Sequence, residues 1–359
     1  SWPYIFYINI PVGIIAALLT LQYVRSPKYA EKRPASEVDW LGIFLLMVAV
    51  GSLQYILEKG QEDDWFSSKL IIVLAVTAAV GFYCFIWREM VYRYPIVELK
   101  VLRNGNLRMG VILSFIQGFG LFGSTFIIPL YTQSILGWDA FQSGMLMIPS
   151  TLMVAFMMPI IGKLIQGGVS QKYLIAVGMG IFFIYSLMNY QIMTAQTSAD
   201  NFFWPLMIRG IGLGLLSVPI STMALSTLKG AEIGQGAAFA GMMRQLGGSF
   251  GVAMISTYLS RDIVGHRADL VTKLNVYDPA VQQRVHGIAA GLQSKGMPAN
   301  TALKTAQQML DGSISVQATI LSYMDIFLYI GCLFLACIPV VLIFIKRTKS
   351  KVSLADAGH

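Results

Sequence analysis

Charge is what this sequence has least of: only 12% of its 359 residues are Asp, Glu, Lys or Arg, against about 25% in an ordinary soluble domain. With 55% hydrophobic residues, a water-exposed globule is excluded and the surrounding solvent is read as lipid. Three histidines and three cysteines leave little material for metal or redox chemistry. Cys84, Cys332 and Cys337 each fall inside an apolar run without metal-site or disulfide spacing, so they read as packing residues. His266 and His286 stand singly and read as solvated. There is no HExxH, no nucleophile elbow, no Walker lysine loop and no pair of intramembrane carboxylates. Hydrolase chemistry, an ATP motor within this chain and a bound cofactor are therefore not expected. Gly210, Gly212 and Gly214 lie inside an apolar helix rather than after a strand, which excludes a dinucleotide loop. The net charge of +8 is spread over short loops, so it reports topology rather than nucleic-acid binding.

Long apolar runs are what the chain has in abundance. Nine are candidate spans: Pro3 to Val24, Trp40 to Leu57, Leu70 to Trp87, Met109 to Tyr131, Met145 to Ile165, Tyr173 to Met193, Phe202 to Leu225, Ile233 to Tyr258, and Met324 to Ile345. Backbone groups in hydrocarbon must pair within their own segment, and runs of this length without alternation are helices. The expected fold class is an all-α polytopic membrane protein, a bundle of nine transmembrane helices. Lys and Arg concentrate on one side, in 25–33, 88–108, Lys163, Lys172, Lys229 and the tail from Lys346. The opposite short loops hold Lys59 and Lys69 beside Glu58, Glu62, Asp63 and Asp64. The positive-inside rule makes the first side, and the C-terminus, cytoplasmic. The chain opens on Ser1 and enters an apolar run at once, so a fragment is expected.

The eighth run is the unusual one. Gly241, Gly247, Gly248 and Gly251 sit among apolar residues, with Arg244 and Gln245 between them. Each glycine costs about 1 kcal/mol of helix propensity relative to alanine, so the segment is made for close helix packing rather than for isolated stability. Ala237/Gly241 and Gly247/Gly251 are small residues four apart, and Arg244 shares a face with Gly248 and Gly251. Arg244 is expected to face a wet cavity; the alternatives are snorkelling or pinning two helices.

Other segments add candidates. In Met109 to Tyr131, Phe115, Phe119, Phe122 and Phe126 form a stripe read as facing lipid or a binding wall, and Ser114, Gln117, Leu121 and Ser124 form a polar face expected inward. The next run is methionine-rich around Pro149 and Pro159, and Met153 is a candidate wall residue. Arg209 lies nearer the external end than Arg244, where interface snorkelling competes with a buried role. Asp325, close to the external edge of the last span, is expected at the interface or paired with an arginine. The expected substrate cavity is walled by Gln117, Phe119, Tyr131, Met153, Arg244 and Gln245. Ser26 to Glu37 reads as a cytoplasmic linker, and Arg261 to Ser315 as an external loop with helical stretches at Pro279 to Leu292 and Ala299 to Leu310, divided by Gly296 and Pro298.

WPYIFYINIPVG (Trp2 to Gly13), YPIVELKVLRNGNLRMG (Tyr94 to Gly110), LGWDAFQSGMLMIPS (Leu136 to Ser150), RGIGLGLLSVP (Arg209 to Pro219) and MRQLGGSFGVA (Met243 to Ala253) occur in this order along the chain. Together they resemble the fourteen-helix drug:proton antiporters of the major facilitator superfamily, the EmrB/QacA type. The resemblance implies that 1–25 is the last helix of an N-terminal half, 26–38 a linker, 39–93 an extra hairpin, 94–346 the C-terminal six-helix half and 347–359 a cytoplasmic tail. Five preceding helices, carrying the proton-binding acidic residues, would lie outside this chain. The loop GKLIQGGVSQK (Gly162 to Lys172) departs from the family's basic loop motif by carrying Gln166 in place of an acidic residue. The implied function is proton-driven multidrug efflux in a bacterial inner membrane. Its partners would be a hydrophobic or amphiphilic small molecule, protons, the lipid bilayer and a periplasmic adaptor protein. Competing readings are a transporter of one defined metabolite or amphiphile, and a membrane enzyme or adaptor-recruiting structural protein.

Overall fold

The computed structural model describes residues 7, 9–23, 39–92, 104–228, 230, 232–274 and 278–345. The cytoplasmic linker Ser26 to Glu37, the basic residues Arg93, Lys100, Arg103 and Lys229, and the tail from Lys346 lie outside the described residues. Ten α-helices follow in order: α1 (Asn9–Tyr23), α2 (Trp40–Lys59), α3 (Lys69–Val91), α4 (Gly105–Ser134), α5 (Ala140–Gln166), α6 (Gln171–Ile192), α7 (Ala199–Leu225), α8 (Glu232–Lys273), α9 (Pro279–Gln293) and α10 (Ala299–Phe344). Seven of the described helices are long and apolar enough to cross a membrane: α2 to α7 and α10. The chain is thus an all-α polytopic membrane protein, organised as a helical bundle.

Two of the nine expected spans are not among those seven. α1 is described over only 15 residues. α8 has the length, at 42 residues, but Arg244, Gln245, its glycines and its polar far end dilute its apolar character. Its packing shows where it belongs. α4 and α8 run side by side in the same direction, with Gly118 of α4 against the Arg244 carbonyl, and Gly247 and Gly248 of α8 against the Phe115 backbone and the Phe122 ring. A helix laid along a spanning helix in this way occupies the same depth.

The six helices α4 to α8 and α10 form one bundle, to which the antiparallel α2–α3 hairpin attaches through α2 and α8. The end of the bundle carrying the 59–65, 137–139 and 194–198 turns is termed distal below. Small residues set the helix spacings: Gly81 lies on Ala49 in the hairpin, Gly178 on Leu215 between α6 and α7, and Gly331 on Ser186 between α10 and α6. Aromatic contacts fill the core, including a stacked Phe182–Phe334 pair at 4.3 Å and an edge-to-face Tyr131–Tyr323 pair at 5.4 Å. Helix starts are fixed by side chains. Asp139 and Gln142 make a reciprocal capping box on α5. Asp39 caps α2 through the Gly42 amide while receiving Arg88 Nε from α3 at 2.8 Å, which ties the hairpin together at its proximal end.

The expected external loop, Arg261 to Ser315, is corrected: α8 runs on to Lys273 and α10 starts at Ala299, so the bundle itself extends distally as a helical hairpin, with α9 packed on α10. The helical stretches read from the sequence coincide with α9 and the start of α10. Gly296, at φ +92°, makes the left-handed turn between them.

Candidate functional site

The centre of the bundle is organised by Arg209. It lies ten residues into α7, roughly 15 Å below the distal helix end at 1.5 Å per residue, close to the middle of a ~30 Å apolar slab. The side chain is 3% exposed. Its Nε donates to Ser124 Oγ at 2.9 Å and its Nη1 to Ser150 Oγ at 2.9 Å. Its Nη2 donates to the Leu121 carbonyl at 3.3 Å and to the Thr125 hydroxyl. One guanidinium therefore joins α7 to α4 and α5. Gly210 clears the space beside it, because a Cβ there would meet the Ser150 carbonyl and Met153. Of the two readings left open for Arg209, the buried role holds and snorkelling does not. Four acceptors converge at mid-depth, so the cation has no need to reach the interface. These partners are hydroxyls and a carbonyl, and among the described residues the group makes no ion pair. Tyr185 of α6 is fully buried next to the same cation.

The six expected cavity residues are not gathered around one cavity. Gln117 is buried inward as expected, and its Nε2 donates to Ser217 Oγ of α7 at 2.7 Å, while its Oε1 is enclosed without a donor. Tyr131 is a distal fastener between α4 and the 194–197 turn: its hydroxyl donates to the Thr194 carbonyl at 2.5 Å and accepts from the Thr194 amide at 3.1 Å. Met153 packs on Gly210 and is half-buried. Arg244 is half-buried with no ion pair among the described residues, and Gln245 is exposed. Phe119 alone of the six lines an apolar groove of about 460 Å³ between α4, α8 and α10, together with Phe115, Met254, Tyr258, Tyr329 and Ile330.

Helix packing separates the four glycines. A Cβ at Gly247 or Gly248 would collide with Phe115 or Phe122, and one at Gly251 would sit 2.9 Å from the Phe119 carbonyl. Gly241 is a correction: a Cβ there meets nothing within 4 Å, because α8 has turned that face away from α4. Of the two readings of the phenylalanine stripe, lipid or binding wall, the packing favours the wall for Phe115 and Phe119. Phe115, Phe119 and Phe122 pack on the glycine face of α8, with Phe115 and Phe119 also lining the groove and Phe122 still partly exposed.

At the distal end, Asp325 is paired with His266 at 2.9 Å, not with an arginine, and His266 also approaches Asp262 at 3.1 Å. The solvated reading of His266 is thereby corrected. Sequence spacing offered a signal for half of this cluster, since Asp262 and His266 are one helical turn apart. Ser150 and Thr125 were missed because lone hydroxyls in apolar helices carry no sequence signature of their own.

Comparison with known proteins gives this bundle a place. Residues 1–252 match the model of the Major Facilitator Superfamily. The chain is 30% identical over 340 residues to the fatty acid resistance protein FarB of Neisseria gonorrhoeae, covering 95% of this chain and 65% of that protein. It is 28% identical over 347 residues to the multidrug export protein EmrB of Escherichia coli strain K12, covering 95% and 64%. It is 24% identical over 330 residues to the colistin resistance protein EmrB of Acinetobacter baumannii, covering 91% and 62%. The chain spans a little under two thirds of the length of these curated relatives. A matching superfamily model over most of its residues, on an all-helical bundle similar in sequence to EmrB-type proteins, identifies this chain as a member of the major facilitator superfamily.

Proposed function

We propose that this chain is the C-terminal nine-helix portion of a proton-driven exporter of hydrophobic or amphiphilic small molecules, acting in a bacterial inner membrane with its C-terminus in the cytoplasm. The observation that carries the reading is the Arg209 network. A charged group placed at mid-membrane depth is costly, and its usual meaning is a function exercised at that depth. It sits where α4, α5 and α7 meet, so a shift of any one of these helices changes its hydrogen bonds. The apolar groove beside Phe119 suits a hydrophobic guest, since ligand pockets are mostly apolar with few polar groups.

In this account two halves rock about a midplane cavity, and protons or substrate each stabilise one facing of it. The segment 1–25 belongs to the other half, in keeping with α1, none of whose described residues is buried. The hairpin 39–93 lies between the halves, 94–346 forms the second half, and the distal helical extension is the surface available to a periplasmic adaptor. A transporter of one defined amphiphile is the second reading, favoured by the name of FarB, a fatty acid resistance protein.

The test uses the intact protein in a pump-deficient host at matched surface level. Arg209→Ala is expected to lower efflux at least tenfold, and Arg209→Lys to fail to restore it, because a compact ammonium with three donors cannot span the four acceptors that the planar guanidinium fork reaches. Arg244→Ala is expected to lower efflux as well. Unchanged efflux in Arg209→Ala overturns the role of the network, and unchanged efflux in Arg244→Ala removes that residue from the cavity wall. Protection against long-chain fatty acids but not against lipophilic cations would select the second reading.

A further inference from the structure

Asp262, His266 and Asp325 converge at the distal end of the bundle, apart from the Arg209 network. Asp262 and His266 stand one turn apart on α8, and Asp325 reaches them from α10. His266 Nε2 is 2.9 Å from Asp325 Oδ2 and 3.1 Å from Asp262 Oδ2, and the three donor atoms all lie within 4.8 Å of one another. A single ring nitrogen carries at most one hydrogen, so it can serve only one of the two carboxylates. It bonds Asp325, which leaves Asp262 Oδ2 enclosed with no hydrogen-bond donor. Two like-charged groups thus crowd one nitrogen, and the cluster is short of one positive centre able to engage all three atoms at once.

We propose that Asp262, His266 and Asp325 form a binding site for a first-row divalent transition-metal ion. The donor set is one imidazole nitrogen and two carboxylate oxygens, a combination suited to Zn²⁺ and its neighbours rather than to Mg²⁺ or Ca²⁺, which take oxygen. With metal–ligand bonds of about 2.0–2.2 Å, neighbouring donors lie about 3.0 Å apart in an octahedron and about 3.4 Å apart in a tetrahedron. The two separations to Nε2 already fall close to this range, and the carboxylate oxygens lie within 4.8 Å of each other. Asp262, with Arg261 and Trp65, also lines a distal cavity of about 490 Å³ between α2 and α8. Tyr258, one turn before Asp262, and Tyr329, one turn after Asp325, pair at 5.1 Å and line the apolar groove. A bound ion therefore joins α8 to α10 at the distal mouth of that groove.

The intact protein, with any affinity tag removed, is stripped with a chelator and titrated with Zn²⁺ in detergent by calorimetry. One saturable site per chain is expected. His266→Gln and Asp325→Asn should each weaken it about tenfold or more, and excess Mg²⁺ should not compete. Asp311→Asn, which breaks the nearby exposed Arg267–Asp311 pair, should leave it unchanged. Wild-type protein that takes up no Zn²⁺, or equal uptake by wild type and His266→Gln, overturns the proposal, and so does an equal loss in Asp311→Asn, which marks general surface binding. Because the variants can misfold, Co²⁺ is also added to stripped wild-type protein. Ligand-field bands of nitrogen- and oxygen-bound Co²⁺ without thiolate charge transfer are expected, and their absence overturns the site. Neither readout depends on transport.

Discussion

Arg209 shows what a single residue decides in a low-dielectric interior. Two of its hydroxyl acceptors, Ser124 and Thr125, also donate back to the Gly120 and Leu121 carbonyls of their own helix, so the cation borrows groups the helix tolerates in any case. Removing one acceptor leaves a charged donor short of a partner. Ser124→Ala and Ser150→Ala are each expected to destabilise the protein by about 1.5–3 kcal/mol, read as lowered thermal stability in detergent. Thr151→Ala, an exposed hydroxyl that bonds only the Met147 carbonyl of its own helix, should change it little. An arginine in an apolar run was visible in the sequence, but its burial was not, because the partners come from two helices 59 and 85 residues away. The same holds for Asp325: its chemistry was legible, whereas its partner His266, on another helix, was not.

Between helices the governing quantity is how closely backbones approach. Gly247 and Gly118 mark the α4–α8 seam from both sides, since a methyl on the first would strike the Phe115 carbonyl and on the second the Arg244 carbonyl. Neither backbone can yield without moving a whole helix. Gly247→Ala and Gly118→Ala should therefore lower the melting temperature by several degrees. Gly241→Ala has open space and no packing penalty, and should be neutral or stabilising by up to about 1 kcal/mol through helix propensity. The spacing of the small residues correctly marked this helix as a packing element. It could not decide which glycines face the seam, because Gly241, Gly247, Gly248 and Gly251 lie on more than one face and only the position of the phenylalanines selects among them. The apolar signal of the same helix is weak for a related reason: a segment suited to contact rather than to lipid carries glycines and polar residues in place of bulky apolar ones. The distal extension was underestimated because polar residues look like loop when the helix carrying them has left the membrane.

At the scale of the whole molecule, a six-helix bundle with an attached hairpin carries its only mid-depth hydrogen-bonded arginine at the junction of α4, α5 and α7, as far as the described residues go. The fold class was readable from apolar length and composition alone, since lipid permits few alternatives. The wall of a central cavity was not: Gln245 is exposed and Arg244 half-buried, and neither lines the groove beside Phe119. The most direct test reconstitutes the intact protein in liposomes and follows movement of a lipophilic dye substrate while a proton gradient is imposed. The account predicts transport that requires the gradient, collapses with a protonophore and falls at least tenfold in Arg209→Ala. Transport that ignores the gradient, or that proceeds equally well without Arg209, would contradict it.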